Sequence, residues 1–461
     1  MKIKKKKKKK RLDFDLVGSS AKKDFQDALD FFDDLDASKG ENSKSNDPSK
    51  SKNNYLKNAI CLKNYLRKKE IENIDDFIDW LYCNVVFVTI TCPDTDKALR
   101  IFNVLNVRGL ALNATDIFKG ELLKKLTEEK EQEELAIRWE DLRQKCLDNG
   151  FAMETLFSQY LIYLVPKTSR EKMEKMLVTS FKNLNKVPLE YLKGVEDFYS
   201  AYCETLEMQD RHAYLLSYKD DDHLCVILCA ILLHRYSDQD IGALKELLVK
   251  FYYQNWVAEQ KEPKKQTNCN IIKALKEKQS VENIASIVKK YLNDDNNKIT
   301  QNFREKLKDD HLYEKHKRAS KNSWLKPILI LVEYSMSDDP RPKRIENNDF
   351  HVEHILPQNP DLSSQWVKDF SEEERELYTH SLANLTLLGG KKNSQASNLD
   401  FKDKKKIYMG EEIRSRKTKT SNVMTCYKTT IDVAQYTEWT PKSLEKRKEE
   451  LIQIIEGVLA F

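Results

Sequence analysis

Between residues 166 and 335 apolar side chains recur every three or four positions, most clearly in EDFYSAYCETL, HLCVILCAILLHRY, ALKELLVKFYYQNW and NSWLKPILILVEYSM. That spacing predicts a series of helices, each with one face turned to a core. Lysine-rich stretches such as Lys261–Lys265 and Lys315–Lys321 separate them. Upstream, residues 55–165 read as helix, strand, turn, helix, loop, helix. The strand is the β-branched run Val85–Thr91, interrupted at Pro93–Asp94. Asp96–Leu105 predicts a helix, and Asn113 or Thr115 caps the next one, with Asp116 in its first turn. Near the C-terminus the period changes. Phe350–Leu356 alternates apolar and polar residues and stops at Pro357, which predicts a short strand. A second apolar run, Asn384–Leu388, ends at Gly389–Gly390. Lys391-Lys392-Asn393 then opens a helix expected to hold Asn398 and to continue through Lys402–Met409. Thr440 before Pro441 marks the start of a last helix.

Composition narrows the class. The 461 residues are 40% hydrophobic and 33% charged, with 11 Gly and 11 Pro, which fits a soluble, mostly helical chain of two or three domains. No apolar run approaches the roughly 18 residues of a membrane span, so no membrane partner is expected. The N-terminal lysines precede no apolar stretch, so no secretory signal is expected either. Nine scattered cysteines without a paired framework suit a reducing compartment and a cytoplasmic location. Cys225 and Cys229, flanked by His223 and His234, imitate a metal site, but their run is almost wholly apolar and reads as a buried helix. Residues 1–54, with the run Lys4–Lys10 and a Ser/Asn/Lys/Asp-rich stretch over 37–54, read as a disordered basic and polar segment. A net charge of +5 places any nucleic-acid surface locally rather than over the whole protein. Tyr252, Tyr253 and Trp256 beside Lys250 and Lys261 could stack on bases, though at helical spacing they read better as core.

The chemistry concentrates in residues 350–401. Hydrolysis of a phosphodiester needs a base for water and a cation for the charge on phosphate. His354, with an ordinary imidazole pKa of about 6.5, suits the first task. Glu353 and Asn393 offer hard oxygens for magnesium or manganese, ions that keep several waters and need few protein ligands. Neighbours on an ideal strand face opposite ways, so Glu353 and His354 reach one site only at a strand end or bulge. Asn384 suits holding the connecting loop through backbone hydrogen bonds.

These residues resemble the His-Asn-His (ββα-metal) nuclease domain that ends GmrSD-type, modification-dependent restriction endonucleases. The Asp/Glu-His-Ile-x-Pro-Gln motif is matched at Glu353–Gln358, and His-x-x-Gly-Asn-Leu-Thr-Leu at His380–Leu387, with Ala383 in place of Gly. An Asn-x(4)-Asn element is matched at Asn393 and Asn398. The resemblance implies His354 as general base, Glu353 and Asn393 as metal ligands, Asn384 ordering the loop, and His380 as a recurrent member of the catalytic set. Trp439, Leu444 and Arg447 match the family's closing motif and imply a terminal helix packed on the nuclease core. Lys391, Lys392, Lys402, Lys405, Arg414 and Arg416 are candidate DNA-backbone contacts.

A second resemblance lies at Phe102, Asn106, Gly109, Leu112, Asp116 and Lys119, which match the end of the same family's ParB-like N-terminal sensor domain. Its upstream nucleotide-binding loop finds no match in Met1–Asn84. The resemblance therefore implies no nucleotide binding by this chain alone, and either a truncated gene or a separate chain supplying the missing half. The reading is a mainly α protein with small α+β parts: a partial ParB-like domain (55–165), a helical middle (166–335) and a ββα-metal nuclease domain (336–461). The expected activity is a metal-dependent DNA endonuclease acting on foreign or modified DNA. The alternatives are a silent or partner-dependent DNA-binding remnant and a nuclease directed at RNA.

Overall fold

The computed structural model describes residues 53–68, 73–86 and 113–461, apart from 297, 319–322, 340–341, 347, 412 and 414–422, together with isolated positions 25, 26, 28, 97 and 101. The lysine run Lys4–Lys10, most of the strand expected at Val85–Thr91, the motif residues Phe102, Asn106, Gly109 and Leu112, and the basic pair Arg414 and Arg416 lie outside the described residues. The described chain is mainly helical, with one two-stranded sheet, and divides into two compact units, residues 1–164 with 170–199 and residues 165–169 with 200–461.

The first unit is held by aromatic packing. Asn113 caps the helix Ala114–Leu123 through the Asp116 N–H at 2.7 Å. That helix buries Phe118 against Phe157 and Tyr191, at centroid distances of 6.1 and 5.2 Å, in edge-on geometry. Trp139 closes on Phe157 at 5.1 Å. Gly194 is required here, because a Cβ would collide with the Tyr160 hydroxyl.

In the second unit the helix Asp238–Glu259 is buried nearly all round from Leu247 to Ala258 and therefore runs through the core. Tyr252 and Tyr253 are fully buried, Tyr253 donating to the Leu215 carbonyl at 2.8 Å, so they are core residues. Cys229 is likewise buried in the helix Asp222–Leu233. Among the described residues no cluster of three or more His, Cys, Asp or Glu forms a metal-binding group.

The sheet pairs β1 (His351–His354) antiparallel to β2 (Leu385–Leu388), with His351 opposite Leu388 and His354 opposite Leu385. Glu333, buried on the helix Leu325–Ser335, accepts the backbone N–H groups of Lys428 and Thr429 at 2.6 and 2.9 Å. It thereby places a carboxylate at the start of the helix Lys428–Val433, which backs β2. Sequence periodicity predicts one helix from Lys391 through Met409; the structure has two, Gly390–Ala396 and Phe401–Met409. Ser397 adopts φ +38° between them. The polar break is held from outside: Asn398 donates to the Asn359 carbonyl at 2.8 Å and Trp366 Nε1 to the Leu399 carbonyl at 2.9 Å. Those bonds come from chain some 30 to 40 residues away, which local periodicity does not register.

Candidate active site

β1 ends where its pairing ends. Beyond His354 the Ile355 N–H still reaches the Asn384 carbonyl at 3.0 Å, and the Asn384 side chain takes over from there: it accepts from the Leu356 N–H at 2.7 Å and donates to the Leu356 carbonyl at 2.8 Å and the Thr379 carbonyl at 2.9 Å. Its oxygen also takes Trp439 Nε1 at 3.3 Å. Asn384 is fully buried and does not line the pocket described below; its hydrogen bonds hold the loop. Arg447, 1% exposed, donates to the carbonyls of Ala383 and Leu385 on either side of it. The terminal helix Pro441–Leu459 therefore packs on this core, as its Trp and Arg imply.

Glu353 and His354 sit at the strand end and diverge. Glu353, 5% exposed, turns toward the helix Phe401–Met409, where its Oε1 accepts from Lys404 Nζ at 2.6 Å and the Tyr408 hydroxyl at 3.0 Å. Lys404, fully buried, also donates to the His354 carbonyl at 2.6 Å. Burial raises the Glu353 carboxyl and lowers the Lys404 ammonium, while each opposes the shift of the other. Two donors on one oxygen, one of them an ammonium, favour the ionised pair.

His354 turns the other way. Its Nδ1 meets Gln358 Nε2 at 3.3 Å. The Tyr313 ring stands edge-on to it at 4.2 Å, and His380 lies at 5.6 Å, stacked in turn on Tyr313. His380 thus packs behind the imidazole and is not part of the pocket lining.

The pocket in front of β1 has a volume of about 900 Å³. His354, Gln358, Asn359, Asn393 and Asn398 line it, and Glu353 is the only carboxylate among the described lining residues. Asn393 lies in the first turn of Gly390–Ala396, and its buried Oδ1 has no hydrogen-bond partner. Gly390 lies close beside it: a Cβ there would come to 3.1 Å from the His351 ring. An orphaned carbonyl oxygen beside a strand-end imidazole fits a hard cation. Glu353 can offer such an ion only its second oxygen, the first being taken by Lys404 and Tyr408.

The lysines divide. Lys391 and Lys402 are exposed. Lys405 donates to the Tyr436 carbonyl at 2.6 Å and is half-buried. Lys392 is 9% exposed and donates inward to the Ile407 carbonyl. Sequence reasoning missed the inward Lys404, although Phe401, Lys404 and Tyr408 share one helical stripe. It also missed Tyr313, His316 and Lys326, which reach the pocket from outside the motif.

Comparison with known families finds two matches. The C-terminal domain of GmrSD restriction endonucleases matches residues 297–454, a span that takes in Tyr313, Lys326, both strands and most of the terminal helix. The N-terminal domain of the same endonucleases matches residues 1–123, beginning upstream of the segment 55–165 in which its motif residues were found. Comparison with curated proteins gives no match. With both domains matched in order along one chain, the protein belongs to the GmrSD restriction endonuclease family.

Proposed function

We propose that this chain is a metal-dependent DNA endonuclease of the ββα-metal type, hydrolysing phosphodiester bonds of foreign or modified DNA in the cytoplasm. The observation that carries the reading is the meeting of His354 and Asn393, distant in sequence, at one pocket where strand and helix converge.

In this reading His354 takes the proton of a water that attacks phosphorus, as the bond to the leaving oxygen breaks. Gln358 at Nδ1 and the edge of Tyr313 fix the plane of the imidazole. Lys404 holds the His354 backbone from behind and Asn384 holds the chain that follows, so the strand end keeps its direction. Asn393 Oδ1 and the second oxygen of Glu353 would hold magnesium or manganese, with waters completing the shell. Such an ion, when bound, supplies positive charge for the phosphate oxygens as negative charge develops. Lys391 and Lys402, both exposed, are the basic side chains placed for backbone phosphate beyond the pocket.

The test is cleavage of plasmid and phage DNA, modified and plain, with magnesium or manganese, by the wild type and His354→Ala. Metal-dependent cutting lost in the variant supports the reading. Cutting that survives His354→Ala removes the base assignment. No cutting on any DNA favours a partner-dependent protein, which adding a separate sensor chain then tests.

A further inference from the structure

The pocket has a wall that belongs to neither strand nor the helices after them. Ser323, Leu325 and Lys326, at the start of the helix Leu325–Ser335, line it together with His354 and Asn393. Lys326 is the only Lys or Arg among the described lining residues. It is half-buried rather than solvated, and its Nζ lies 4.8 Å over the ring of Phe350, the residue immediately before β1. The strand that carries His354 therefore also seats this ammonium. The other charges cannot serve an anion, because Glu353 is negative and Lys404 is fully buried behind the strand.

We propose that Lys326 binds the DNA backbone within the nuclease site, contacting the scissile phosphate or its neighbour. The proposal rests on the nuclease reading and adds to it a residue that the motif does not contain. A phosphate entering a recess of this size needs a cation in the wall, and a fixed ammonium on an aromatic seat meets it without first being ordered. Burial lowers the Lys326 pKa, a sign that this ammonium is partly stripped of water and so interacts more strongly with an incoming anion.

The experiment measures binding of a linear phage-DNA duplex, modified and plain, to His354→Ala protein with and without Lys326→Gln, over a series of salt concentrations. The expected result is about tenfold weaker binding, as for loss of one hydrogen bond to a charged group. The slope of log affinity against log salt should fall by about 0.9, one phosphate's worth. Lys326→Arg should restore both, with no change in melting temperature. Unchanged affinity and slope in Lys326→Gln would overturn the proposal, and so would absence of DNA binding by the parent variant. Cleavage by the wild type, compared with His354→Ala, tells the failures apart. His354-dependent cutting with an unchanged Lys326→Gln sinks this inference alone, whereas no such cutting sinks the nuclease reading and this inference with it.

Discussion

The two sides of β1 are built on opposite principles. Behind the strand, Lys404, Tyr408, Asn384 and Arg447 are buried and held by hydrogen bonds, Lys404 and Tyr408 to one oxygen of Glu353. In front, His354, Asn393 and Lys326 open on a pocket of about 900 Å³, and Asn393 keeps an oxygen with no partner. Glu353 joins the two, one oxygen held from behind while the residue also lines the pocket. The contrast teaches that the rear wall spends polar groups on holding shape, so that the front wall can leave some uncommitted.

If that division is right, rear substitutions lower stability and front substitutions lower activity. The largest effect is expected for Lys404→Met. It strands Glu353 in the core and should cost about 3–5 kcal/mol in denaturant unfolding. Adding Glu353→Gln should recover much of that loss, and a single variant as stable as wild type would dissolve the comparison. Next, His354→Ala should reduce cleavage by about 10² or more with an unchanged melting temperature. A fall in melting temperature of many degrees would move His354 to the structural side. Asn384→Ala leaves the Leu356 N–H buried without its acceptor and should cost about 2 kcal/mol; unfolding curves that coincide with wild type would count against its clamp role.

His316 tests the boundary from within the pocket. Burial depresses its pKa to about 4, so the folded protein holds it neutral while the unfolded chain protonates near 6.5. Stability is therefore complete above pH 6.5 and falls as pH drops toward 4, by about 2 kcal/mol at pH 5. His316→Gln should flatten that slope, which unfolding at pH 7 and pH 5 would reveal. The smallest effect sharpens the front side. Gln358→Glu sets a carboxylate beside His354 Nδ1 and raises the imidazole pKa. With the neutral imidazole as the base, as proposed, the acid limb of the rate profile should move up by about one pH unit. A limb that stays in place would remove Gln358 from the orienting role.

Much of this was legible in the residues. The Thr440 cap, the core position of Tyr252 and Tyr253, and the packing of Trp439 and Arg447 on the sheet follow from local pattern and motif. So does the meeting of His354 and Asn393 at one pocket. The inward lysines were illegible because lysine is ordinarily a surface residue, and only a carboxylate distant in sequence makes Lys404 worth burying. The division at Ser397 depends on Trp366 and Asn359, and the pocket's far wall on Tyr313 and Lys326. None of these contacts repeats at a helical or strand period, so no periodicity announces them.

The terminal helix has a consequence for how the protein is made. A ribosome that has just added Met409 has already made His354, Asn393 and Lys404. The Asn384 clamp still lacks Trp439, and the carbonyls of Ala383 and Leu385 still lack Arg447. At about 5 to 20 residues per second, that interval lasts seconds on every chain. The loop that follows β1 thus gains its last buried hydrogen bonds only once Trp439 and Arg447 have been made.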